Sequence, residues 1–133
     1  MENGELIMDN DDRIRRINVV EEKSYQFSIR IINLYKYLDE NKKIYAIAHQ
    51  LLRSGTAIGA LIKESAHAQS KADFLNKMNV ALKEANETTY WLSLLHDTDY
   101  LKDHEFTSIN KDCEELLKLL ISIVKTTKSS LNK

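Results

Sequence analysis

Proline is absent from this 133-residue chain, and glycine occurs only at Gly4, Gly55 and Gly59. Turn-rich β-architectures draw on both residue types at their reversals, so their scarcity argues for helices. A single cysteine, Cys113, excludes an internal disulfide framework and fits a reducing compartment. Uncharged runs such as Ser54–Ile62 and Thr88–His96 fall well short of the roughly 20 residues that span a bilayer. Nor does an apolar targeting segment open the chain, because Met1–Asp12 carries five acids and no base. A single soluble, cytoplasmic domain with no membrane partner is expected. Net charge is −1, yet removing that acidic start leaves four more bases than acids. The imbalance points, weakly by itself, to an anionic partner.

Residues 1–22 show no sustained periodicity and are expected to form a mobile extension to a bundle over residues 23–133. Arg13, Arg15 and Arg16 cluster there, either neutralising neighbouring acids or contacting phosphate. A first helix is predicted from Ser24, as N-cap, to Glu40, with Phe27, Ile31, Leu34 and Leu38 facing the core. Asn41-Lys42-Lys43 is a short polar link, and its two lysines join the candidate nucleic-acid contacts. The second helix, about Ile44–Ala68, buries Ile44, Ile47, Leu51, Ile58 and Ile62. Ser70 caps a third helix, with Asp73 complementing its dipole, and Phe74, Met78, Ala81, Ala85, Thr88, Leu92 and Leu95 alternate by four and three. After a turn at Asp97–Lys102, Asp103 is expected to cap a last helix whose stripe is Phe106, Ile109, Cys113, Leu116, Leu120 and Ile123. The expected fold is all-α, an antiparallel up-down-up-down four-helix bundle.

Gly55 and Gly59 lie four apart inside the second helix, where each costs roughly 1 kcal/mol against alanine. Residues so spaced share a face, so close approach by another helix is the expected compensation. Arg53, Glu64, Glu84 and Glu87 are charges nearby that need partners, and Arg53 is the natural mate of the two α-helical glutamates, within or between subunits. With Ser54 and with Trp91 in a helix–helix or intersubunit gap, this set reads as an assembly signature. Carboxylate-bridged metal sites in bundles need two Glu-x-x-His units, and only Glu64-Ser-Ala-His67 is present. Ser54 and Ser65 have no histidine placed to activate them, and Cys113 falls on a core stripe. No catalytic residue, metal ligand or cofactor is assigned.

Two blocks carry a likeness. Leu52-Arg-Ser-Gly-Thr-Ala-Ile-Gly-Ala60 with Lys63-Glu64-Ser65, and Ser70-Lys-Ala-Asp-Phe74 with Ala81–Leu92, resemble the signature of the 23S rRNA intervening-sequence protein family of bacterial four-helix bundles. The resemblance covers about Lys23–Lys128. It implies a homo-oligomer, commonly a ring of five, without established enzymatic activity. A similar bundle serves as accessory protein to the reverse transcriptase of diversity-generating retroelements, where a basic surface engages nucleic acid and enzyme. The expected role is a non-enzymatic interaction module that contacts RNA or a ribonucleoprotein. The alternatives are a protein-only scaffold or accessory subunit and, third, a carboxylate-metal enzyme.

Overall fold

The computed structural model describes residues 10–132, almost all of them in four long helices. Helix α1 spans Asn10–Tyr37 and runs into a π-helical turn at Leu38–Lys42. Helices α2 (Tyr45–Ser65), α3 (Lys71–Asp97) and α4 (Asp103–Leu131) follow after short links. No described helix is long and apolar enough to cross a membrane.

Helix α1 starts well before the Ser24 expected from sequence. Residues 10–22, expected as an extension, are helical, and Val20 among them is fully buried. The expected extension's residues 1–9, with Glu2, Glu5 and Asp9, lie outside the described residues. Ser24 is no cap. It is buried at mid-helix, and its hydroxyl donates to the Glu21 carbonyl at 3.0 Å, a local bond that lets serine sit inside a helix. Once Ser24 counts as a core position, Ile17, Val20, Ser24, Phe27 and Ile31 form one uninterrupted three–four alternation.

The helix ends follow capping chemistry where suitable residues exist. Ser70 Oγ accepts from the Asp73 backbone N–H at 3.0 Å, and the Asp73 carboxylate accepts from the Gln69 N–H at 3.1 Å. Asp103, expected as the last cap, lies instead in the first turn of α4. Lys102 holds the cap position, its backbone N–H donating to the Glu105 carboxylate at 2.9 Å. With no glycine to spare, two reversals place other residues in the left-handed region: Lys43 at φ 55° and Asp99 at φ 68°. Lys43 closes the π turn through its N–H to the Leu38 carbonyl at 2.8 Å.

Side-chain pairs set the topology. Ile31 faces Gly55 while Ser28 and Ser24 face Gly59, so α1 and α2 run in opposite directions. Glu64–Lys77 and Ser54–Thr88 give the same sense for α2 and α3. Cys113 Sγ sits 3.6 Å from the Ala85 carbonyl and Lys71 meets Ser130, so α3 and α4 are antiparallel too. Arg16–Ser122 and Arg30–Asp112 close α4 onto α1. The result is a four-helix bundle with every neighbouring pair antiparallel.

The core is built from the predicted stripes. Phe27, Ile31, Leu38, Leu51, Ile58, Ile62, Met78, Leu92, Leu95, Leu116 and Leu120 are all essentially inaccessible. Leu34, Ile44, Ile47, Phe74 and Phe106 are only partly buried at the margin. Val20 and Leu101, which no expected stripe contained, complete the core at the two ends of the bundle.

Candidate functional site

The glycine pair is where α1 crosses closest to α2. A Cβ on Gly55 would stand 2.8 and 2.9 Å from the two γ-carbons of Ile31. On Gly59 it would stand 3.1 Å from Ser28 Oγ and 3.3 Å from the Ser24 carbonyl oxygen. The close approach inferred from sequence is therefore made, and it is made by α1 of the same chain. This corrects the expectation of a neighbouring copy nesting on Gly55, which is buried beneath Ile31. Gly59 keeps partial exposure. It forms the floor of an open groove of about 590 Å³ between α1 and α2, walled by Tyr25, Ile32, Thr56 and Ala60.

The charged members of the set meet across α2 and α3. Arg53 Nη1 donates to both oxygens of Glu84 at 3.1 and 3.3 Å, Nη2 donates to Glu87, and Nε donates to Gln50 Oε1 at 3.2 Å. Trp91 Nε1 donates to the same Glu87 oxygen at 3.0 Å. The Trp91 bond first and the Arg53 bond second hold the Glu87 carboxyl below its ordinary range. Glu87, then Glu84, raise the Arg53 guanidinium further. Arg53 remains about half exposed, so the clamp contributes no more than about 1 kcal/mol. Beneath it, the buried hydroxyls of Ser54 and Thr88 share a hydrogen bond at 2.9 Å. Arg53, Ser54, Glu84, Glu87 and Trp91 thus form one intrachain cluster. The sequence reading missed Gln50 and the role of Thr88, although Gln50 lies one turn before Arg53.

Glu64 stands apart. It pairs with Lys77 at 3.6 Å on an exposed surface, and the adjacent His67 is exposed as well. Among the described residues, no group of three or more His, Cys, Asp or Glu side chains is placed to hold a metal ion. Cys113 is fully buried, and burial, followed by Glu114 and Asp112, pushes its thiol up to about 12. At neutral pH it is a small apolar core residue.

The five candidate nucleic-acid contacts divide between the two ends of α1. Its 28 residues extend about 42 Å and separate Arg13, Arg15 and Arg16 from Lys42 and Lys43. Arg15 pairs with Asp12 at 3.5 Å, and Arg16 donates to Ser122 Oγ at 3.0 Å. Lys42 lies 5.9 Å from the centre of the Tyr37 ring. A single continuous basic face is not formed by these five.

One surface was not singled out from sequence at all. Tyr25, Ile29 and Ile32 stand 64%, 40% and 41% exposed on α1, and Tyr25 and Ile32 line the groove over Gly59. Their four–three spacing was the available signal, obscured because α1 already had one apolar stripe.

The chain is similar to a solved structure from Bacteroides thetaiotaomicron VPI-5482, described as a protein with unknown function from the S23 ribosomal protein family. The two share 55% sequence identity and a TM-score of 0.81, over 83% of this chain and 98% of that one. No functionally curated protein matches. The model of the 23S rRNA-intervening sequence protein family matches residues 16–122, which hold the glycine pair, the Arg53 cluster and most of the bundle. On that match, and on the four-helix fold that carries it, the chain belongs to the 23S rRNA-intervening sequence protein family.

Proposed function

We propose that this protein is a non-enzymatic, homo-oligomeric interaction module, and that its assembly surface is the groove between α1 and α2. The observation that carries the reading is the pair of exposed side chains Tyr25 and Ile32, which line the groove with the small residues Thr56, Gly59 and Ala60, with exposed Ile29 between them along α1. Contiguous apolar side chains beside a concave, small-residue surface are what subunit interfaces cover. Glu21 and Lys63 flank the groove 3.9 Å apart, a polar rim to an apolar centre. A ring of five is the assembly that the family resemblance implies. RNA or a ribonucleoprotein is the proposed partner, following the family's association with a 23S rRNA insert and the basic excess of the chain after its first twelve residues.

Native mass spectrometry tests the assembly. The wild-type protein is expected as a homo-oligomer at micromolar concentration, and a Tyr25→Glu, Ile32→Glu double variant as a helical monomer. A monomeric wild type removes the proposal. A protein-only scaffold is the second reading, favoured by the engagement of Arg15 with Asp12 and of Arg16 with Ser122. Anisotropy titrations with single-stranded RNA at rising salt separate the two. Affinity that falls steeply with salt supports an RNA partner, and absence of binding supports the scaffold.

A further inference from the structure

Helix α4 carries Lys111, Lys118 and Lys125 at seven-residue steps, with Lys128 one turn further on, and all four are exposed. Seven residues make close to two helical turns, so these lysines stand in a row along one side, at steps of about 10 Å. None of the four side chains has an ion pair or a hydrogen bond among the described residues. Lys128 lies in the last turn, where the helix dipole favours a cation. That effect fades within one turn, and Lys111, Lys118 and Lys125 stand deeper in the helix.

Cations at the helix seams are treated differently. Lys23 pairs with Glu115 at 3.2 Å, Arg30 with Asp112 at 2.6 Å, and Arg53 with Glu84 and Glu87. Those pairs also turn the acids away from the row. On α4, Asp112 and Glu115 meet cations of α1, which leaves Glu114 as the acid beside the lysines, and no acid occurs from Leu116 to Asn132. On neighbouring α3, Glu84 and Glu87 face Arg53 of α2, and Asp73 accepts from the Gln69 N–H. The outer side of α4 is left positive, in a chain whose net charge is −1.

We infer that the row Lys111, Lys118, Lys125 and Lys128 is the surface on which RNA lies, contacting phosphates and reading no base. This rests on the RNA partner proposed above and assigns it a place on the molecule. Lysine meets phosphate as a point charge on a flexible stem, a contact that holds a strand without selecting its sequence. Evenly spaced like charges match an evenly charged polyanion better than an acidic protein surface. A membrane would need an apolar face to bury beside the charges. The apolar face of α4, with Cys113, Leu116, Leu120 and Ile123, is buried in the bundle core, and Ile121 is a single exposed apolar side chain between Lys118 and Lys125. No residue of α4 lines the assembly groove, so oligomer and RNA use different surfaces.

Anisotropy titrations of the full-length protein with two single-stranded RNAs of unrelated sequence test the assignment. Two triple variants of equal charge are compared with wild type. Lys111→Gln, Lys118→Gln, Lys125→Gln empties the row, and Lys36→Gln, Lys42→Gln, Lys43→Gln removes three exposed lysines around the π turn. Wild type is expected to bind both RNAs within about threefold of each other, with affinity falling as salt rises. Loss of three phosphate contacts is expected to lower the slope of log affinity against log salt by about 2, and affinity at about 0.15 M salt roughly fiftyfold, with helicity unchanged. The π-turn variant is expected to stay within about threefold of wild type. An unchanged row variant, or equal losses in both variants, would overturn the surface and leave the RNA partner standing. A wild type that binds neither RNA would remove partner and surface together. Phosphatidylserine vesicles bound through the same three lysines, and more tightly than RNA, would reassign the row to a membrane.

Discussion

Gly55 and Gly59 look alike in the sequence and differ in what surrounds them. Replacing either by alanine gains roughly 1 kcal/mol of helix propensity. At Gly55 the new methyl would strike both γ-carbons of Ile31, a fully buried, β-branched side chain with no room to rotate away. Overpacking of that kind costs about 1–3 kcal/mol and outweighs the propensity gain. At Gly59 the nearest atom is the Ser28 hydroxyl, which can change rotamer, although the Ser24 carbonyl at 3.3 Å cannot. Urea unfolding is therefore expected to show Gly55→Ala destabilised by up to about 2 kcal/mol and Gly59→Ala within about 1 kcal/mol of wild type. A Gly55→Ala variant more stable than the parent by about 1 kcal/mol, the full propensity gain, would show that α1 can move outward at no cost. That some backbone would approach these glycines was legible from their spacing. Which helix, and from which chain, was not, since a spacing in one helix carries no information about what packs on it.

At the scale of the element, the chain's poverty in glycine becomes a stability question. The C-terminus of α3 closes through Tyr100 N–H to the Leu95 carbonyl at 2.8 Å and Asp99 N–H to the His96 carbonyl at 3.1 Å. This is the arrangement that ordinarily places glycine at the left-handed position, here held by Asp99. Asp99→Gly is expected to raise stability by about 0.5–1 kcal/mol, because relief of the Cβ clash exceeds the added flexibility of the unfolded chain. A lowered urea midpoint would mean that the Asp99 side chain makes a contribution larger than its backbone strain. The start of α1 shows the opposite kind of legibility. Ser24 carries the residue type of a cap and stands beside a run of charges, so local propensity argued for a start there. Burial in the bundle overrode that preference, because the apolar positions Ile17 and Val20 pay back the ordering of the preceding turns only when α4 is present to receive them.

For the molecule as a whole, two joints between helices titrate from opposite sides. His96, at the end of α3, stacks on Phe106 of α4 with ring centres 4.3 Å apart and lies 2.7 Å from Asp103. Asp103, chiefly through that hydrogen bond and then with Asp97, raises the imidazole above its ordinary 6.5. A raised folded value means the contribution is complete below pH 6.5 and fades as pH climbs through the folded value. Glu87, held between Trp91 and Arg53 from α3 and α2, is depressed below 4.5. Its contribution is complete above pH 4.5 and fades as pH drops through the folded value. Global stability against urea is expected to form a plateau between about pH 4.5 and 6.5 as far as these two groups decide it. His96→Gln should flatten the decline above the plateau, and Glu87→Gln part of the decline below it. Profiles unchanged in both variants would place the pH dependence elsewhere.

Composition and periodicity were sufficient for the all-α class, the four helices, most of the buried stripe and the pairing of Arg53 with Glu84 and Glu87. Each of these rests on contacts a few residues apart along one helix, or on the alignment forced by short links between antiparallel neighbours. Only the tertiary structure decided that the glycine face is covered by α1, that the Arg13–Arg16 turn belongs to the bundle, and that Tyr25, Ile29 and Ile32 remain outside it. Those outcomes depend on which side of each helix faces which neighbour. An amphipathic pattern shows that a face wants covering, and only the packing of all four helices determines what covers it.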